Sequence, residues 1–183
     1  MAATSCWAKR LRARPEHTLL ADAPACPLPC AMADATVYEA AGGAVGVLRL
    51  AHAWHDRVMA DDLVSHAFEG GFHPQHTERL AAYWGEAWGG PAAYTERYGT
   101  ESDVVRIHSG NGPHEAMDRR SIACFERALD DVGIVEPRLR SVLLAYFTWA
   151  TTTTMAAYPH DASAVPEGLR LPRWSWDGLV EEA

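Results

Sequence analysis

Residues 136–157 constrain the fold of this chain more than any other stretch. Leu139, Val142, Leu143, Tyr146, Phe147 and Trp149 leave that helix almost no polar face. A helix apolar nearly all round belongs at the centre of a bundle. An all-α fold is therefore expected. Thr151 to Thr154 are poor helix formers, and their hydroxyls can bond back to carbonyls one turn earlier, so a bend is expected there.

The preceding sequence supplies the surrounding helices. From Val45 to Ala60, Leu48, Ala51, His55 and Val58 share one face, with Leu50 and Trp54 along its edge. A short turn-helix should follow from Asp61 to Phe68, broken by Gly70 and Gly71. Pro74 suits the first turn of the next helix, because its missing N–H is not needed there. His76, Leu80, Tyr83 and Ala87 form that helix's stripe, and Gly89-Gly90-Pro91 stops it. Residues 92–107 read as a loop with one short helix near 101–107. A further helix from about 114 to 132 aligns Met117, Ser121, Cys124 and Ala128 and ends at Val132-Gly133. Strand signals are nearly absent from 36–158.

Both ends read differently. Residues 1–35 are rich in Ala and Pro and lack periodicity; a disordered extension or a mis-assigned start is expected, since Met32 stands just before the organised part. The basic cluster Lys9, Arg10, Arg12 and Arg14 is not followed by an apolar core, which makes a poor secretory signal. Cys6, Cys26 and Cys30 lie here with His17, but their spacing is marginal for zinc and no metal site is expected among them. The cysteine usage fits a reducing cytosol, so a cytoplasmic protein is expected. From residue 159 to 183, Pro159, Pro166 and Pro172 break any helix. Trp174 and Trp176 in that tail should pack back on the body.

Composition excludes several classes. The net charge of −8 argues against a nucleic-acid scavenger, which needs a basic face. No apolar run is long enough for a membrane span. The chain of 183 residues is long enough for one domain with a real core. Nine His and seven Trp are a surplus that needs explaining.

An imidazole on a buried stripe costs free energy unless it is paired. His55 and His76 both fall on such stripes, and Ser121 falls on a third. Two imidazoles and a hydroxyl aimed inward from different helices suggest a polar pocket inside the bundle, where cofactors are commonly held. His108 closes a short helix just before Ser109-Gly110, a place where an imidazole can be held at a fixed angle for a metal.

Val37-Tyr38-Glu39-Ala40-Ala41-Gly42-Gly43 resembles the opening of the group II truncated haemoglobins. Tyr83-Trp84, Trp88-Gly89-Gly90-Pro91, Tyr94-Thr95-Glu96-Arg97 and Gly99 resemble their signature after the distal helix. Arg106-Ile107-His108 lies where that family has its proximal haem ligand, and the Pro-x-Trp-x-Trp-Asp-Gly tail is similar to that of some actinobacterial members. The resemblance covers about 36–158. It implies a two-over-two helical sandwich around one haem b, with His108 on the iron. It implies Phe68 and Leu80 as packing residues against the haem, and Tyr94 and Arg106 as candidates for propionate contact.

Three positions depart from the family pattern. His55 stands where group II members usually have Tyr, His76 where Ala is frequent, and Ser121 where a Trp usually hydrogen-bonds the ligand. The distal side is therefore rebuilt around two imidazoles, and volume is opened.

Three readings follow. The first is a haem protein binding O2, NO or CO at a pentacoordinate iron, with His55 or His76 as hydrogen-bond donor. The second is a haem-dependent oxidoreductase, peroxidase- or oxygenase-like, in which His76 and His55 act as acid or base on a small organic substrate. The third is a globin-like bundle without haem. His76 could itself bind the iron in a resting state. A reductase partner and a monomeric or homodimeric state are expected.

Overall fold

The computed structural model describes residues 35–110 and 114–180. The expected N-terminal extension, with its three cysteines and His17, lies outside the described residues, Ala35 excepted.

Among the described residues seven α-helices carry the fold: α1 (Val37–Ala40), α2 (Gly43–Met59), α3 (His76–Ala87), α4 (Ala93–Arg97), α5 (Glu101–His108), α6 (Glu115–Asp131) and α7 (Pro137–Trp149). A 3-10 turn, Val64–Phe68, joins α2 to the α3 approach. Helix α2 packs on α3 and α6, and α6 packs on α7. Local chemistry sets several starts. Thr36 and Glu39 make a reciprocal capping box on α1, and Thr100 and Asp103 make one on α5. Glu136 caps α7 through the N–H groups of Arg138 and Leu139, with Pro137 in the first turn.

Three boundaries differ from the sequence expectation. Helix α3 begins at His76, and Pro74 sits in the turn before it. The segment 92–107 holds two helices, not one. The extra one, α4, is capped from a distance: the Glu86 carboxylate accepts from Tyr94 N and Thr95 N, each at 3.0 Å. No local pattern announces such a cap. The last helix is α only to Trp149; Ala150–Thr154 form a π turn and Met155–Ala157 a 3-10 turn. Within this bend the Thr152 hydroxyl donates to the Thr148 carbonyl at 2.8 Å, the back-bonding that the threonine run suggested.

The core is aromatic. Trp84, Trp88, Phe125, Tyr146 and Phe147 are buried together with Leu50, Leu129 and Leu143. Phe125 and Phe147 stack with centroids 4.3 Å apart. Glycine is required at position 90, where a Cβ would meet the Gly85 carbonyl at 2.6 Å and the Tyr38 ring at 2.8 Å.

The tail closes over this core. Trp174–Ser175 pairs antiparallel with Gly178–Leu179, the strand pair among the described residues. Its turn uses Gly178 at φ +107°. Trp174 is buried against Tyr146 and Trp149. Trp176 donates its indole N–H to the Ala35 carbonyl at 2.7 Å and lies under the Arg138 guanidinium. Arg173 binds the Glu86 carbonyl and carboxylate. Among the described residues, no helix is long and apolar enough to cross a membrane.

Candidate functional site

Two helices, one turn and one loop converge on a group of rings. Helix α2 supplies His55 and Trp54, the 3-10 turn supplies Phe68, and α3 supplies His76. The rings of His55 and His76 lie 5.1 Å apart, and Phe68 meets them at 5.5 and 5.4 Å. Phe72, from the Gly-rich loop, closes the group at 4.9 Å from His55 and 5.6 Å from His76. Phe72 is 48% exposed, so one side of this cluster meets solvent.

The two imidazoles bring buried nitrogens without partners. His55 Nδ1 and His76 Nε2 are both buried and unbonded. Such atoms cost about 1–3 kcal/mol each unless something satisfies them. Burial lowers the pKa of both rings; for His76, the neighbouring charges of His55 and His108 lower it further, to about 4. His76 is therefore neutral at pH 7, with one N–H and one lone pair.

His108 closes α5. Its Nδ1 lies 2.8 Å from the Val104 carbonyl one turn back. That bond fixes the tautomer with Nδ1 protonated and leaves the Nε2 lone pair free, the arrangement used by metal-bound histidines. Tyr158 packs beside it, with centroids 6.4 Å apart.

The remaining expected residues divide. Ser121 is buried on α6, one turn before Cys124, whose cluster with Val58 and Val64 packs against Phe68 and Trp54. Leu80 packs against the main core from α3. Tyr94 and Arg106, expected near an acidic group, are engaged elsewhere. The Tyr94 ring is buried between Tyr83 and Tyr98, at 5.2 and 6.1 Å. Arg106 pairs with Asp103 at 3.1 Å and Glu167 at 2.5 Å, so its charge is already matched.

Two residues were missed. Arg79, one turn beyond His76, keeps a buried Nε–H without a hydrogen-bond partner and lies over the Tyr98 ring. Its i+3 spacing from His76 was the available signal. Phe72 gave no signal, because its position depends on how the Gly70-Gly71 loop folds back.

These donors fit a haem. An imidazole whose Nδ1 is hydrogen-bonded, the contacting rings of Phe68 and Trp54, and an unpartnered guanidinium N–H are groups that such a cofactor would use. Comparison with known proteins agrees. The family model for bacterial-like globins matches residues 36–155. A search of curated protein sequences returned no match. Among solved structures, a thermostable haemoglobin from the actinobacterium Thermobifida fusca is 28% identical, with a TM-score of 0.57, covering 68% of this chain and 99% of its own. The haemoglobin of Chloroflexus aurantiacus is also 28% identical, with a TM-score of 0.56 over 64% and 95%. A group II truncated haemoglobin from Bacillus anthracis shares the fold at 20% identity, with a TM-score of 0.58 over 68% and 92%. The α-helices form the globin fold of these truncated haemoglobins, and haem is the cofactor that the family implies. The matched segment contains α1 to α7 together with His55, His76 and His108, and the chain belongs to the bacterial-like globin family.

Proposed function

We propose that this globin binds a diatomic gas at a haem b held by His108, with His55 and His76 facing the ligand. Haem would supply an iron that His108 could hold and that could take up O2, NO or CO. The observation that carries the reading is the pair of buried, unpartnered nitrogens on His55 and His76, in ring contact 5.1 Å apart. Either ring can donate an N–H to a ligand that gains negative charge. A charge-assisted bond is worth about 1.5–3 kcal/mol and slows ligand release roughly tenfold to a hundredfold. The buried, unpartnered Nε–H of Arg79 supports a role for it in holding an acid group of the cofactor.

Absorption spectra of the ferric and ferrous protein, with and without CO, test this. A Soret band that shifts with CO is expected, and His108→Ala should lose or rearrange it. An unchanged spectrum in His108→Ala would sink the axial assignment. His76→Ala and His55→Ala should each speed O2 release by roughly tenfold or more if their ring is the donor.

One observation favours a second reading, a haem-dependent oxidoreductase. His76 is held neutral at pH 7 by burial and can therefore accept a proton within the pocket. Peroxide-dependent turnover of a small phenol, lost in His76→Ala, is the outcome that would select it.

A further inference from the structure

Seven tryptophans are more than the pocket uses, and five of them lie on one line. The line starts at Phe68, in ring contact with both pocket histidines. Phe68 meets Trp54 at 6.5 Å, and Trp54 meets Trp84 at 5.8 Å. Trp84 stacks on Trp88 at 5.7 Å with 21° between planes. Trp88 meets Tyr146 at 5.5 Å, Tyr146 meets Trp174 at 5.7 Å, and Trp174 meets Trp149 at 5.3 Å. Every step is ring against ring, across α2, α3, α7 and the tail. Trp149 is partly exposed, so the line runs from the histidine pocket to the surface beneath the tail hairpin.

A second observation separates this line from ordinary packing. Buried indoles usually find a partner for their N–H. Trp54, Trp88 and Trp174 do not. An oxidised indole that cannot hand its proton to a base remains a strong oxidant and takes an electron from the next ring. Tyr146, fully buried, holds its phenolic proton firmly. It therefore serves as a bridge between Trp88 and Trp174 and does not store the charge.

We propose that these rings form a one-electron relay, through which a reductant at the Trp149–Trp174 surface reduces hydrogen peroxide in the haem pocket. This rests on the haem reading above. The reductant class is a phenol too bulky for the pocket. Peroxide takes up two electrons and two protons and leaves as two waters. Each electron moves singly along the line, and one phenol at the surface replaces it. That phenol loses one electron and one proton, the proton passing to water, and becomes a phenoxyl radical; two phenols are consumed per peroxide.

The test uses the haem-loaded full chain treated with hydrogen peroxide alone, followed by peptide mapping of oxidised indoles by mass spectrometry. Oxygen addition should concentrate on Trp149 and Trp174. In Trp88→Phe it should move to Trp54 and Trp84, with the surface pair falling several-fold. Oxidation confined to Trp54 and Trp84 in the unaltered protein would overturn the relay. So would the same pattern in Trp88→Phe, or equal surface oxidation in haem-free protein. If Trp88→Phe does not fold, Trp149→Phe decides with a different readout. Peroxide-dependent oxidation of guaiacol coupled to dextran should be lost in it, and unchanged oxidation overturns the proposal. The Soret response to peroxide is followed in parallel. No response means that the haem reading has failed; a response without surface oxidation means that the relay has.

Discussion

Glu101 and His76 carry opposed titrations. Glu101 is only 5% exposed and accepts a hydrogen bond from the Tyr83 hydroxyl at 2.9 Å. Burial raises its pKa from 4.5 to about 7, while that bond lowers it. The folded state therefore holds the Glu101 proton more tightly than the unfolded chain does. Its contribution to stability is full below pH 4.5 and is lost as pH rises to about 7. His76 has the opposite sign. Its pKa falls from 6.5 to about 4, so its contribution is full above pH 6.5 and is lost as pH falls toward 4. In haem-free protein the two slopes oppose each other between pH 4.5 and 6.5, at up to about 1.4 kcal/mol per pH unit each. Glu101→Gln should unmask the histidine slope, with urea midpoints falling as the solution is acidified through that window. His76→Leu should show midpoints falling as pH rises. Parallel profiles in the two variants would sink this account. The histidines were legible in the sequence because they interrupt apolar stripes. Glu101 was not, since a carboxylate in the first turn of a helix reads as a solvated dipole partner until the fold buries it.

At the scale of elements, periodicity located α2, α3, α6 and α7 because each buries one face against another helix. The segment Ala93–Arg97 escaped because its cap comes from Glu86, eight residues from Tyr94. The same carboxylate, 2% exposed, also accepts the Thr95 hydroxyl and meets Arg173 of the tail. One buried charge thus fixes both a short helix and the approach to the hairpin. Ser102 adds a second anchor, donating to the Pro166 carbonyl and accepting from Leu169 N. Glu86→Ala should cost about 3–5 kcal/mol, because it leaves buried donors and the arginine without their acceptor. Glu86→Gln, which keeps one of the two oxygen acceptors, should cost less. Trp174→Ala should also cost about 3–5 kcal/mol by opening a cavity beside Tyr146 and Trp149. Both changes release the tail, so the double variant should fall short of the sum in denaturant titrations. Strict additivity would show that the tail is not held as one unit.

Across the whole domain, the apolar surface is not closed evenly. One side is a sealed aromatic core in which Trp88, Phe125, Leu129 and Leu143 are wholly buried. The other side is the imidazole cluster, where Phe68, Leu80 and His76 are only partly buried and Phe72 is exposed. The signature around Trp88 and the stripe histidines made both sides readable in the sequence. The wall that completes the pocket was not, because it depends on the loop through Gly70 and Gly71 rather than on a periodic element. The sealed side needs no cofactor to exclude water; the imidazole side does. A haem that binds the folded state and not the unfolded one should, at a thousandfold excess over Kd, add about 4 kcal/mol. That stabilisation should be distributed as unevenly as the burial. In haem-free protein, hydrogen exchange should be fast over residues 61–80 and slow over 84–88, 124–129 and 142–147. Adding haem should raise protection in the first segment by far more than in the others. A uniform rise across all four would mean that the domain opens only as one body, and that the imidazole cluster is no softer than the aromatic core.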